Sequence, residues 1–271
     1  MTESSDTPRP FLRWAGSKRK LLPKLIPYWG EGYERYLEPF SGSASLFFAL
    51  KPKRAILSDI NAGLIQTLGF IRDYPEVIYE TVKNYPLGKA SFYSLRAQNP
   101  DLLSPPERAA RFLFLNRFCF NGLYRTNSKG SFNVPFSPKG TGSLPSKENL
   151  IRAAALLRRA KLRCGDFEGI LLENIRHGDF VYLDPPYAVG NRRVFRQYGP
   201  HSFGLDDLRR LSKALTLIHR RGARFVLSYA DCHEARVAFR NWTSVRVFTQ
   251  RNISGFARHR RRAAELVVSN S

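Results

Sequence analysis

The segment from Tyr36 to Asp59 constrains the fold of this chain more than any other. Tyr36-Leu37-Glu38-Pro39-Phe40 reads as a strand running into a small-residue turn, Ser41-Gly42-Ser43-Ala44. Ser45 to Leu50 reads as a helix, and Arg54 to Ser58 as a second strand that ends on Asp59. A strand, a tight turn, a helix and another strand in so short a span open a doubly wound α/β sheet. In such sheets ligands bind at the carboxyl ends of the strands.

Asp59 lies 17 positions after Gly42, close to the roughly 20-residue interval at which an acid accepts from ribose hydroxyls. The turn holds Gly42 alone and is not G-x-G-x-x-G. A pyrophosphate needs close backbone approach at more than one glycine, so the turn suits a nucleoside without phosphates, such as S-adenosylmethionine. An ordinary βα turn with a surface Asp is the alternative at this point. A second strand end carries Asp184-Pro185-Pro186-Tyr187 after the apolar run Phe180-Val181-Tyr182-Leu183. The prolines end the ladder and stiffen the exit. An acidic acceptor, a fixed carbonyl and an aromatic face thus share one strand end. An exocyclic amine delocalises its lone pair into its ring; two acceptors drawing on its hydrogens help restore that lone pair while a stacked Tyr holds the ring. A proline-capped turn with an incidental Asp is the plainer reading of the tetrapeptide alone.

The bulk numbers narrow the partners. At 271 residues and 43% apolar, the chain suits one large domain, or a core domain with a smaller one. No apolar stretch approaches the ~20 residues of a membrane span, and residues 1–9 lack the apolar core of a signal peptide. Cys119, Cys164 and Cys232 are odd in number, far apart and without zinc spacing, which fits a reducing cytoplasm. The formal charge of +22 attracts polyanions and makes nucleic acid the leading partner. Of the 44 basic residues 32 are Arg, and a GC-rich genome would produce the same excess.

Further along, Ser17 to Tyr28 reads as a helix with Leu21, Leu22, Leu25 and Ile26 on one side. From about residue 70 to 160 the strand–helix alternation gives way to helical, basic sequence. Ser104-Pro105-Pro106-Glu107 is a capping box starting a helix through Leu113, Leu115 and Phe118. Gly122 to Thr126 and Ser131 to Phe136, joined by Asn127-Ser128-Lys129-Gly130, read as a hairpin. A further helix spans Ser146 to about Lys161. Strands then return at Leu162 to Cys164, Phe180 to Leu183 and Arg224 to Tyr229, and Val245 to Phe248 pairs with Leu266 to Val268. Arg258, Arg260, Arg261 and Arg262 form a basic run before the last strand, either a phosphate contact or a solvated turn.

In order along nearly the whole chain, these motifs resemble the Dam-type (D12 class, alpha group) family of site-specific DNA N6-adenine methyltransferases. Phe11-Leu12-Arg13-Trp14-Ala15-Gly16-Ser17-Lys18 is similar to its N-terminal cofactor segment, Leu37 to Gly42 to its main cofactor loop, and Asp59-Ile60-Asn61 to its ribose-binding acid. Asn116 through Arg125, then Phe132-Asn133-Val134-Pro135-Phe136, resembles the target-recognition hairpin, and Asp166-Phe167 with Asp184 to Tyr187 the adenine-binding and catalytic signatures. The resemblance implies a Rossmann-like α/β methyltransferase sheet, mostly parallel with a C-terminal antiparallel hairpin. Residues 1–68 and 161–271 would form this catalytic domain, and residues 69–160 an inserted, mainly helical target-recognition domain carrying the β-hairpin.

It also implies roles. Trp14, Lys18, Glu38, Phe40, Ser41, Gly42, Ser43, Asp59, Asp166, Phe167 and Asp184 would line the S-adenosyl-L-methionine site, with Lys18 near its carboxylate. Asp184 and the carbonyl of Pro185, set by Pro186, would accept from the target N6 amine while Tyr187 stacks on the flipped adenine. Transfer would be a direct in-line displacement requiring no metal. Arg13, Phe120, Asn121, Leu123, Arg125, Asn133 and Pro135 would meet double-stranded DNA, with Arg125 bidentate on a guanine and GATC as target. Ala44 stands where the family often has a second glycine, and Ser228-Tyr229 where Ser-Asn is common. N4-cytosine methylation, RNA adenine methylation and a methylation-dead DNA-binding homologue are the competing readings. The expected location is cytoplasmic, in a bacterial cell or phage-infected host, with no membrane and no obligate protein partner, and a place in restriction–modification is compatible with it.

Overall fold

The computed structural model describes residues 7–14, 16, 18–127, 130–137, 142–188, 203–250 and 262–270. Seven strands form one sheet: β1 (Arg35–Glu38), β2 (Ala55–Asp59), β3 (Ala160–Cys164), β4 (Asp179–Leu183), β5 (Arg224–Ala230), β6 (Thr243–Gln250) and β7 (Arg262–Ser269). Their order is β3-β2-β1-β4-β5-β7-β6. The first five strands are parallel, and β7 runs antiparallel to both neighbours. The order reverses between β1 and β4, so their carboxyl ends open the crevice where ligands of such sheets bind. Glu38, Asp59 and the residues after Leu183 all lie at that edge.

Among the described residues ten helices accompany the sheet: α1 (Leu22–Leu25), α2 (Ser45–Leu50), α3 (Ala62–Asp73), α4 (Pro75–Lys83), α5 (Lys89–Ala97), α6 (Pro105–Phe118), α7 (Lys147–Leu157), α8 (Phe167–Asn174), α9 (Leu205–Arg220) and α10 (His233–Ala238). On one face α1 to α7 bury Leu25, Phe47, Leu64, Ile78, Leu113 and Leu150 in one core with Tyr36, Leu57 and Tyr182 of the sheet. On the other, α8 to α10 bury Leu171, Leu211, Ile218 and Ala235 against Leu37, Val181 and Leu227. The doubly wound α/β reading therefore holds. α3 touches β2 and β3 as well as α6 and α7, and residue 69, the expected start of the inserted segment, lies within it.

Three local expectations need correction. Ser17 lies outside the described residues, and the helix expected to follow it is in three pieces: 3-10 turns at Lys18–Lys20 and Ile26–Tyr28 flank α1. Pro23 and Pro27 each remove a backbone donor and break the ladder, leaving Leu21 and Leu25 buried but Ile26 41% exposed. The helix expected to reach Lys161 ends at Leu157, because Ala160 already pairs in β3. The hairpin is not a continuous ladder but two isolated bridges, Cys119 with Phe136 and Thr126 with Phe132. Pro135 offers no N–H, and Asn121 and Gly122 take positive φ of 55° and 63°, which turns the chain out of register. Ser128, Lys129 and Arg258 to Arg261 lie outside the described residues. Ser104 does start α6: its N–H donates to Glu107 Oε2 at 2.9 Å.

Candidate active site

A cavity of about 870 Å³ opens at the carboxyl ends of β1, β2 and β4, and Trp14, Lys18, Glu38, Asp59, Asp166 and Asp184 are among its lining residues. Its floor is the turn after β1. Ser41 N–H donates to the Ser58 carbonyl at 2.9 Å and Ala44 N–H to the Ser41 carbonyl at 2.6 Å, which ties the turn to β2. Gly42 sits at φ +47°, and a Cβ there would lie 2.7 Å from Trp14 Cδ1. Glycine is thus required twice, by the backbone and by the indole against it. Ala44 adopts φ 51° and is fully buried. Ala44 therefore holds a left-handed conformation at a cost in strain that a glycine would not carry.

Asp59 holds the same turn: Oδ2 accepts from Gly42 N–H and Oδ1 from Asn61 N–H, both at 3.0 Å. Burial raises its pKa, and those backbone donors oppose the rise. Glu38 is 3% exposed, and burial pushes its carboxyl well above the usual range. Among the described residues Glu38 Oε2, Ser41 Oγ and Ser58 Oγ are buried without a hydrogen-bond partner. Buried polar atoms are almost always satisfied, so this cluster has unmet capacity for polar groups.

The opposite wall is the start of α8. Asp166 is its N-cap and accepts from Glu168 N–H at 3.0 Å. Phe167 is buried with its ring 5.1 Å from that of Phe40. Acids at both ends of the cavity with an aromatic pair between them fit a nucleoside: carboxylates for hydroxyl or amine donors, rings for a base. Phe203, Asp207 and Arg210 complete this wall from the start of α9; the sequence reading did not single them out.

At the other end, β4 delivers Asp184 from a fully buried strand. The Asp184 side chain is 20% exposed and lies 3.0 Å from Lys18 Nζ. Ser228 Oγ donates to Asp184 Oδ1 at 3.0 Å and also pairs with the Tyr182 hydroxyl at 2.9 Å. Lys18 Nζ donates to the Tyr187 hydroxyl at 2.5 Å and sits 4.9 Å from its ring centroid. Glu265 of β7, 4% exposed, lies 3.5 Å from both Lys18 Nζ and the Tyr187 hydroxyl. Burial works against the Lys18 charge, but Asp184, Tyr187 and Glu265 outweigh it and raise its pKa. Burial raises the Asp184 carboxyl, opposed by Lys18 and Ser228, and pushes the Tyr187 hydroxyl up to about 12. Tyr229 packs 5.0 Å from Tyr187 and its hydroxyl accepts from Ala188 N–H at 2.7 Å, so it braces the chain leaving the tetrapeptide. Pro186 lines the cavity and Pro185 is buried behind it. Lys18 thus stands beside the tetrapeptide itself.

The remaining candidates lie beside the hairpin. Arg13 is clasped by Asn116, whose Oδ1 accepts from its N–H at 2.8 Å and whose Nδ2 donates to its carbonyl at 2.6 Å. Its guanidinium donates to the Arg117 carbonyl at 3.1 Å. A Cβ at Gly122 would meet Arg13 Cβ at 2.5 Å, so the turn holding Asn121 presses directly on Arg13. Phe120 is 44% exposed and Pro135 is exposed, while Leu123 is half-buried. Arg125 Nε donates to Asn133 Oδ1 at 2.8 Å. Tyr124 stacks on Trp14 at 5.8 Å and on Phe112 at 5.3 Å, which connects hairpin and cavity. Asn116, Tyr124 and Glu265 carry this geometry without having been assigned roles from sequence. A charge inside the apolar run Ala264-Glu265-Leu266-Val267 was the available signal for the last.

Known proteins converge on the same chemistry. The family model for the D12 class N6 adenine-specific DNA methyltransferase matches residues 14–253. The chain is 32% identical over 271 residues to the type II methyltransferase M1.LlaDCHI of Lactococcus lactis subsp. cremoris, covering 97% of this chain and 95% of that one. It is 35% identical to the type II methyltransferase M.MjaIII of Methanocaldococcus jannaschii, covering 81% and 83%. It is 33% identical to the DNA adenine methylase of Haemophilus influenzae, covering 96% and 93%.

Proposed function

Because this chain belongs to the D12 class of N6 adenine-specific DNA methyltransferases, we propose that it modifies adenine within GATC in double-stranded DNA, flipping the target base toward Asp184 and Tyr187. The observation that carries the reading is Asp184 at the carboxyl end of β4, held by Lys18 and Ser228 at 3.0 Å each on the edge of the nucleoside-sized cavity. S-adenosylmethionine is the methyl donor of this family and supplies an electrophilic methyl group on a sulfonium.

The chain's own residues do the rest. Asp59 and Asp166 would hold the ribose and adenine ends, Phe40 and Phe167 the ring, and Trp14 the turn at Gly42. Asp184 and the Pro185 carbonyl would accept from the target amine's hydrogens and restore its lone pair for attack. One of those hydrogens leaves as a proton to Asp184 or water when nitrogen takes the methyl group and sulfur keeps the bonding pair. Tyr187 stacks on the base, and extrusion is required because a paired base hides that amine. Fixed acceptors and orientation supply the acceleration. Arg13, Phe120, Asn121, Leu123, Arg125, Asn133 and Pro135 form the DNA-facing set, and residues 69–160 act as the target-recognition part. The +22 charge supports this partner. A cytoplasmic, protein-partner-independent enzyme is part of the same reading; among the described residues no helix is long and apolar enough to cross a membrane.

The test is single-molecule sequencing of unmodified plasmid DNA after incubation with the protein and S-adenosylmethionine. N6-methyladenine confined to GATC is the expected result. Methyladenine in another motif overturns the target, and absence of methylation with cofactor bound overturns the substrate.

A further inference from the structure

We propose that Arg210 is the positioning residue of the cofactor's adenine subsite and sets the preference for an adenosyl donor over its deaminated counterpart; this rests on Asp166 being the acceptor for the cofactor's adenine amine. Arg210 stands on the second turn of α9 and belongs to none of the motifs read from sequence. Its three guanidinium nitrogens each go to a different carboxylate. One bonds Asp166 Oδ1 directly, Nε donates to Glu168 Oε2 at 2.8 Å, and the third donates to Asp207 Oδ1 at 2.9 Å. Its Cζ also lies 4.8 Å from the Phe167 ring centroid.

Stability does not account for so complete a network. The Arg210, Asp166 and Glu168 side chains are 36%, 41% and 37% exposed. Ion pairs at such exposure add little to stability, because solvent screens them. What the network does is fix orientation. A carboxylate turns about its last bond, and the N-cap bond from Glu168 N–H holds Asp166 at one point only. Arg210 adds a second, and both bonds land on Oδ1. Among the described residues no bond to Oδ2 is made, which leaves it for an external donor, with its plane set by a rigid, planar guanidinium. The same guanidinium covers Phe167, so acid and ring are fixed together.

The surrounding charge selects the ligand. One cation among three carboxylates leaves the rim net negative, which repels a phosphate and disfavours a keto oxygen. An exocyclic amine brings hydrogens to the acid and is favoured. A site built around a ligand N–H rejects the analogue lacking it, because its own polar group is then unpaired. Lysine would keep the charge but offers a compact point in place of a fork reaching three acids.

The experiment is calorimetric binding of S-adenosylhomocysteine and S-inosylhomocysteine to the full chain, wild type against Arg210→Ala, Arg210→Lys and Asp166→Asn. Wild type is expected to prefer the adenosyl compound at least tenfold. Arg210→Ala and Asp166→Asn should each reduce that ratio below threefold, with Arg210→Lys between. Thermal unfolding of each variant separates this from a loss of fold, and Arg210→Lys preserves the charge if alanine does not fold. If Arg210→Ala keeps the wild-type ratio while Asp166→Asn loses it, the positioning role is overturned and the subsite reading stands. If Asp166→Asn also keeps the ratio, or wild type shows no preference, the adenine-subsite reading fails and the inference with it.

Discussion

Gly42→Ala is a substitution at the candidate site whose outcome the structure defines. Gly42 has φ +47°, and the added Cβ would lie 2.7 Å from Trp14 Cδ1 and 3.0 Å from its Nε1. Left-handed backbone costs a residue with a Cβ about 1–2 kcal/mol, offset by about 0.4–1 kcal/mol because alanine restricts the unfolded chain. Steric cost comes on top. Carbon atoms rest at about 3.5 Å, so the indole has to move by roughly 0.8 Å. Its stacking on Tyr124, itself stacked on Phe112, resists that movement. Ala44 already tolerates φ 51° two positions on, so what distinguishes position 42 is the indole. A loss of about 2 kcal/mol is expected, which for a chain of this size lowers the melting midpoint by roughly 4–8 °C. Because Trp14 and the Gly42–Asp59 bond shape the cofactor cavity, affinity for S-adenosylhomocysteine should fall by more than the stability loss implies. Thermal unfolding followed by circular dichroism, with calorimetric binding, reads both. A variant with unchanged midpoint and unchanged affinity would refute the argument that the loop needs the missing side chain.

Three further outcomes follow from the geometry. Burial raises the Asp184 carboxyl pKa, and in the proposed mechanism the ionised form is the stronger acceptor for the amine, so activity should be present above a limb that lies higher than the ordinary aspartate value of about 3.9 and fall below it; a kcat limb at or under that value sinks the assignment, as does an Asp184→Asn enzyme with normal turnover. Asn116→Ala removes both hydrogen bonds to the Arg13 backbone and leaves those groups short of partners, which should cost about 1–3 kcal/mol in urea unfolding and weaken DNA affinity through Arg13; unaltered DNA binding argues against the clasp. Arg125→Ala should relax discrimination at one guanine by about 1–3 kcal/mol, measured as methylation rates on duplexes substituted at each position; a loss equal on all duplexes would make Arg125 a backbone contact.

What could be read in the sequence was what local pattern determines. Phe180 to Leu183 is an apolar run ended by Asp184 and two prolines, so both the strand and Asp184 at its end are visible without any partner. The same holds for the β1–α2–β2 unit and its Asp59. Apolar spacing alone misled at Leu22 to Tyr28, where it matches a helix, because Pro23 and Pro27 remove the donors that a continuous helix needs. The hairpin was legible as a turn but not as a broken ladder, since the positive φ at Asn121 and the packing of Gly122 on Arg13 depend on a segment distant in the chain. The partners of Glu265, Arg210 and Asn116 were out of reach for another reason. Each acts on a residue far away in the chain, Lys18, Asp166 and Arg13 respectively, and no periodicity encodes such a pairing.

The position of β7 has a consequence for how the enzyme comes into being. Among the described residues it is the last strand along the chain, yet it lies between β5 and β6 and is the only neighbour of β6. During synthesis β5 therefore exposes an unpaired edge, and β6 cannot join the sheet, until β7 inserts between them. Glu265 arrives with that strand and reaches Lys18 and Tyr187. Closing the sheet and completing the Lys18–Tyr187–Glu265 cluster of the candidate site are thus one event, and a nascent chain that has not finished folding lacks it.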